Sequence, residues 1–390
     1  MRVISEIESY KKELMQWRRD MHAHPELAYQ EERTARLVVE RLQGWGIAVD
    51  QGLAKTGVVG TLSRGVGPAI GLRADMDALA IDETNTFEYR SQHAGRMHAC
   101  GHDGHTTMLL GAARYLAEHG NFEGTIQFIF QPAEEAAGGA KSMIDGGLFK
   151  RFPVDAVFGM HNWPGLSVGR FAMRSGPIMA SLDCFDICIE GQGAHGAAPQ
   201  HGIDPVMVSA QVVTALQTIV SRNIDPLQPA VVSVTKIHGG DAQNVIPSSV
   251  QLGGGIRCFD PEIRKLLSRK IVQIVEGVCS SLGATGTVEF ATKFPAVINS
   301  LEGIDLASRT ASEIVGNENV ETNCDPVMVS EDFAYMLEAI SGCYIFIGNG
   351  EGEGGCMIHN PSYDFNDEIL SIGASYWASL AQKFLSEQTS

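Results

Sequence analysis

The stretch GTIQFIFQPAEE, Gly124 to Glu135, runs through a helix-like segment near 139–146 to VDAVFGMHN, Val154 to Asn162, and its reading decides the fold. Two apolar runs of strand length, 124–131 and 154–160, bracket a helix, which is the unit that joins neighbouring parallel strands. Working outward toward the N-terminus, the runs 57–62 and 69–72 predict strands, and 104–119 predicts a helix. Earlier still, Ile7, Tyr10, Leu14, Trp17 and Met21 recur at spacings of three and four, so a helix is expected over 5–23, with another over 31–45. This alternation predicts an α/β fold: a mostly parallel sheet with helices on both faces.

From residue 183 the order changes to strand (183–191), helix (203–223), strand (229–237), strand (249–258), helix (260–282) and strand (286–293). The sequence β-α-β-β-α-β is the ferredoxin-like signature, so 183–293 is expected to be an inserted α+β domain. Helices at 302–315 and 330–340, a strand at 343–348 and a helix at 367–386 then restore the first pattern. Residues 1–182 and 294–390 are therefore read as one discontinuous domain, because neither part holds a complete sheet alone.

Composition narrows the function. With 29 basic and 46 acidic residues in 390, the net charge of −17 opposes binding to nucleic acid or to an anionic membrane surface. No run of about 18 apolar residues is long enough for a membrane span. The segment Met1 to Trp17 mixes charged and apolar residues, unlike a signal peptide, so a cytoplasmic protein is expected. Eight cysteines lie scattered without a C-x-x-C pair, which does not resemble a disulfide framework.

Chemistry concentrates in MHACGHDGH, Met97 to His105, where one cysteine and three histidines precede a predicted helix. Thiolate and imidazole are preferred ligands of zinc and related ions, although a helix entry can use the same residues for caps and packing. Glu134 and Glu135 follow one predicted strand, and His161 follows the next. Ligands of open α/β sheets gather at the carboxyl ends of strands, so these segments are candidates for one crevice. Adjacent carboxylates also divide naturally between ligating an ion and moving a proton. A solvated glutamate pair and a hydrogen-bonded core histidine are the structural alternatives. A further histidine, His359, follows a Gly-rich loop at 349–355.

Together these residues closely resemble the M20 metallopeptidase family, in its amidohydrolase branch of hippurate hydrolases and N-acyl-L-amino acid amidohydrolases. The resemblance is carried by WRRDMHAHPE (17–26), RADMDAL (73–79), CGHDGH (100–105), QPAEE (131–135), GAH (193–195), NVIP (244–247), SEDF (330–333) and His359. It implies two divalent metal ions, zinc first with manganese, cobalt or nickel as alternatives, held by Cys100, His102, Glu135, His161 and His359, with the Cys100 sulfur bridging. It also implies Glu134 as general base and acid, and His195 and Asn244 as further donors to the oxyanion, His195 acting within a subunit or across a dimer. The inserted domain then serves as a lid or dimerisation domain, and a homodimer or higher homo-oligomer is expected. The implied substrate is a small N-acyl amino acid.

Arg257 is a candidate for the substrate carboxylate, with a strand-end salt bridge as the equal alternative. His22, His24, His98 and His105 are expected to be supporting or structural residues, and Asp75 a supporting carboxylate. Ala194 and Gly196 flank His195 where the branch more often has Gly and Ala. Three competing activities stand beside the amidohydrolase: a dipeptidase or carboxypeptidase on the same scaffold, a metal-storing protein without turnover, and a Cys/His thiol hydrolase.

Overall fold

A computed structural model describes residues 1–351 and 355–388, and it divides into two compact units. The first comprises Met1–Ile178, Ile298–Pro326 and Asp332–Ser390; the second comprises Met179–Val297 and Val327–Glu331. The segment 327–331 that joins the second unit was not separable in the sequence, because its attachment is a backbone pairing in which Ala180 donates to the carbonyls of Val327 and Val329.

The first unit is built on an eight-stranded sheet whose centre runs Gly57–Arg64, Gly124–Gln131, Ala69–Asp75, Ala156–Pro164 and Gly342–Gly350. The last four are mutually parallel; Gly57–Arg64 is antiparallel to its neighbour, and Ala48–Leu53 closes the edge as a hairpin. Alternation along Ala69–Asp75 shows how the sheet serves two purposes. Ile70, Leu72 and Ala74 enter the main apolar core, under the helices Lys11–Ala23, His102–His119, Leu301–Val315 and Leu370–Gln388. Arg73, on the opposite face, bonds to Gln131 and Asp332.

Several boundaries differ from expectation for identifiable reasons. The helix over 5–23 is broken into Ser5–Ser9 and Lys11–Ala23 at Tyr10, whose ψ of 18° leaves the helical range. The helix expected over 330–340 spans only Ala334–Ala339, since Asp332 is drawn into the buried bonds with Arg73, Gln131 and the Ala140 N–H. The strand Ala156–Pro164 extends through His161, which therefore lies within a strand and not after it. Part of the Gly-rich loop, 352–354, lies outside the described residues.

The second unit has a four-stranded antiparallel sheet in the order Ala230–His238, Ser249–Cys258, Leu182–Glu190, Thr285–Phe294. Numbered along the chain this is 2-3-1-4, the ferredoxin-like arrangement. Helices Pro205–Leu216 and Pro261–Ser281 cover one face, burying Val208, Val212, Leu267, Ile271 and Val275 against Phe185, Ile187 and Ile189. Asp204 and Asp260 cap these helices by accepting from backbone N–H groups two and three residues on, and each is followed by a proline at the first helical position.

Candidate metal centre

Cys100 and His102 meet the sheet because Gly101 turns the chain between them with a φ of +95°. The cysteine is 6% exposed and its Sγ lies 3.2 Å from His161 Nε2. Ala133, at a φ of +55°, makes the turn that carries Glu134 and Glu135 off the end of Gly124–Gln131. That turn is held by Glu31, a fully buried carboxylate that accepts from the Ala133 N–H and the Thr56 hydroxyl. His359, also at positive φ (63°), is tied by its N–H to the Ala99 carbonyl, and its Nε2 lies 3.3 Å from Glu135 Oε1.

Five side chains read as metal ligands thus converge. Candidate ligand atoms of Cys100, His102 and His161 lie within 4.8 Å of one another, and those of Cys100, Glu135 and His359 form a second such group. Cys100 is common to both. Glu134 is buried, and one of its oxygens groups with His102 and Glu135 within the same limit.

The histidines are oriented by their second nitrogens. His102 Nδ1 stands 3.2 Å from Asp77, and His161 Nδ1 is 2.7 Å from the Asn162 carbonyl oxygen. With Nδ1–H donating in each, the neutral form of each ring has its lone pair on Nε2. Asp77 also accepts from the Glu135 N–H at 3.0 Å, so one carboxylate fixes two of the five donors. Asp77 shares the RADMDAL motif with Asp75, and nothing in the spacing distinguishes the two carboxylates. Asp75 instead pairs with Arg73 and with His105 Nδ1, and lies 3.8 Å from His102 Nε2. His105 and Tyr363 bracket Asn162, and His22 bonds to Asp103 and Glu83. His24 binds the Asp20 carbonyl, while His98 is buried with no partner for either ring nitrogen among the described residues.

The electrostatics suit cations. Burial alone would lower the His102 pKa, but Asp75, Asp77 and Glu135 outweigh it and hold the value at about 10, so this corner of the site favours positive charge. Burial, reinforced by Glu135, Glu134 and Asp75, pushes the Cys100 thiol up; burial and His105 push His161 down. The protein alone thus leaves Cys100 as a thiol, and a nearby cation is what stabilises a thiolate there. Two buried atoms, His102 Nε2 and Glu135 Oε1, have no hydrogen-bond partner among the described residues. Two unsatisfied donor atoms beside a soft sulfur and a second imidazole fit a pair of divalent metal ions.

His195, Asn244 and Arg257 belong to the second unit. His195 pairs in a short ladder with Val245, its neighbour Gly196 donates to the Asn244 carbonyl at 2.7 Å, and both His195 and Asn244 are exposed. His195 Nδ1 accepts from the Ala197 N–H, leaving Nε2–H as a donor. The strand-end salt bridge expected as the alternative for Arg257 is not formed among the described residues: its Nη1 donates to the Met328 carbonyl and the Ser330 hydroxyl.

With this sheet and these donors, the chain falls in the class of α/β metallohydrolases. Comparison with known proteins makes the placement specific. Residues 71–383 match the model of peptidase family M20/M25/M40, and the chain belongs to that family. It is 43% identical to hippurate hydrolase of Campylobacter jejuni, covering 99% of this chain and all of the relative. It is 38% identical to N-acetylcysteine deacetylase of Bacillus subtilis, over 94% of this chain and 96% of that one. A crystal structure of a dinuclear metal binding peptidase of family M20 from Bacillus subtilis superposes with a TM-score of 0.85 at 34% identity, covering 97% of this chain and 99% of the other. Among the described residues no helix is long and apolar enough to cross a membrane.

Proposed function

We propose that this protein is a metal-dependent amidohydrolase that cleaves the amide bond of small N-acyl-L-amino acids, releasing a carboxylic acid and a free amino acid. The observation that carries this reading is the convergence of Cys100, His102, Glu135, His161 and His359 beside buried Glu134, in a chain 43% identical over its length to a hippurate hydrolase. Those five residues would hold two divalent ions, zinc in the first instance, and Cys100 belongs to both candidate donor groups. When bound, the ions polarise the scissile carbonyl and acidify water. Glu134 takes the proton of the attacking water and delivers it to the leaving amine, a task for a carboxylate with restricted solvent access. We assign His195 and Asn244 as hydrogen-bond donors to the developing oxyanion, supported by the free Nε2–H of His195. Arg257 remains a substrate-carboxylate candidate through the guanidinium nitrogens that Met328 and Ser330 do not engage.

We further infer a cytoplasmic protein, supported by eight cysteines that are all free. A homodimer paired through the second unit is supported by the edge strand Ala230–His238, which is paired on one side only.

The test is a screen of acetyl-, benzoyl- and longer acyl-amino acids against unblocked dipeptides, with and without EDTA and with zinc, manganese or cobalt restored. Hydrolysis of blocked amino acids that vanishes on chelation and returns with metal is expected. Preference for unblocked dipeptides would replace the reading with a peptidase, and activity resistant to EDTA would replace it with a thiol hydrolase.

A further inference from the structure

Away from the metal donors, helices Lys11–Ala23, Glu32–Gly44 and His102–His119 of the first unit enclose a cleft of about 420 Å³. Four guanidinium groups, Arg33, Arg36, Arg41 and Arg114, and two indoles, Trp17 and Trp45, line it, against two carboxylates, Glu13 and Glu40. A cluster of four arginines is conspicuous on a chain of net charge −17. Internal partners account for half of it. Arg33 pairs with Asp20 at 2.9 Å, and Arg114 with Glu13 at 2.7 Å and Glu118 at 3.2 Å. Arg36 and Arg41 have no carboxylate within ion-pair distance among the described residues.

Arg41 stacks 4.1 Å above the Trp17 ring, and Trp17 and Trp45 lie 5.8 Å apart between centroids. Its Nε–H is buried without an acceptor, and so is Nη1 of Arg33. Burial also lowers the Arg41 pKa, and Glu13, Asp20 and Glu40 offset only part of that effect. Guanidinium forks match carboxylate and phosphate oxygens, and indole faces accept flat or apolar groups.

We propose that this cleft is a second ligand site, which binds a small organic oxyanion, a phosphate ester or a dicarboxylate, with its charge on Arg36 and Arg41 and its flat or apolar part against Trp17 and Trp45. The volume suits a small molecule and exceeds what a bare phosphate needs. Titration of the metal-loaded full chain with AMP, glutarate and inorganic phosphate, by calorimetry and tryptophan fluorescence at low salt, tests it. AMP or glutarate is expected to saturate one site, more tightly than inorganic phosphate, and the one that does so identifies the ester or the dicarboxylate. The Arg36→Ala/Arg41→Ala double variant is expected to weaken binding at least ~10-fold, the scale of losing charge-assisted bonds. Arg36→Ala alone, at an exposed position that leaves the fold intact, is expected to weaken it by about half of that on a logarithmic scale. Failure of both AMP and glutarate to saturate, or unchanged affinity in Arg36→Ala and in the double variant, overturns the proposal, since the anion then sits elsewhere.

Discussion

Cys100 Sγ and His161 Nε2 lie 3.2 Å apart, a thiol and an imidazole from segments 61 positions apart, both buried where protein groups alone keep them neutral. Their contact makes sense as two corners of a ligand cage. Replacing the sulfur by oxygen in Cys100→Ser keeps the volume but removes the soft donor shared by both candidate groups. The variant is expected to stay folded and to hold metal at least ~10-fold more weakly. Metal content after dialysis against a graded chelator series measures this; wild-type retention would remove Cys100 from the ligand set.

Glu134 and its neighbour Glu135 are adjacent in sequence yet differ in surroundings, since Glu135 Oε1 lies 3.3 Å from His359 Nε2 and its N–H is held by Asp77. Glu134→Gln keeps shape and removes only the ability to accept and return a proton. Metal content is expected near wild type while kcat falls by ~10²–10⁴. A variant that hydrolyses N-acyl amino acids at the wild-type rate would show that the proton is carried elsewhere.

His22 offers a pH-dependent measurement away from the ligands. It is fully buried, with Nδ1 2.9 Å from Asp103 and Nε2 3.2 Å from Glu83. Burial alone would lower its pKa, but the bonds to the two carboxylates raise it from 6.5 to about 9. A group with a raised folded pKa stabilises the fold fully below its unfolded value and loses that contribution as pH climbs through the folded one. The stability advantage of wild type over His22→Gln is therefore expected to shrink between pH 6.5 and about 9, by on the order of 3 kcal/mol in total. Urea midpoints of both proteins across that window give the result; a difference independent of pH would show that His22 is neutral.

Much of the architecture could be read from the chain because burial imposes periodicity. The strand Gly124–Gln131 and the helix Leu301–Val315 show their apolar spacing directly and fall within a residue of expectation. Ala48–Leu53 was invisible, since it is an edge strand whose residues are mostly solvent-facing and which pairs, among the described residues, with Gly57–Arg64 alone. Strands of two residues, such as Phe171–Ala172, have no period to read. The candidate ligands were legible through residue type; of the places expected at strand ends, Glu134 and Glu135 do follow Gly124–Gln131, whereas His161 lies inside Ala156–Pro164. Their supports were not: Glu31 and Asp77 act through contacts to groups distant in sequence, among them the backbone N–H groups of Ala133 and Glu135, and a carboxylate in a loop looks the same whether it faces water or Ala133.

Gly101 sets the geometry between two ligands, and glycine chemistry there is testable against a control. At φ +95° a side chain is strained, and a Cβ would collide with Asn162 Oδ1 and lie 2.6 Å from the Tyr363 hydroxyl, both buried. Gly101→Ala is expected to cost about 2 kcal/mol or more, from strain and overpacking together, and to lower metal content by displacing Cys100 from His102. Gly277 sits in the exposed face of Pro261–Ser281, where a Cβ meets nothing within 4 Å. Gly277→Ala is expected to stabilise by about 0.5–1 kcal/mol through helix propensity and leave metal content alone. Urea unfolding and metal analysis of the pair separate a local demand at the site from a general response to glycine replacement; equal effects on metal content would show that the Gly101 turn does not position the ligands.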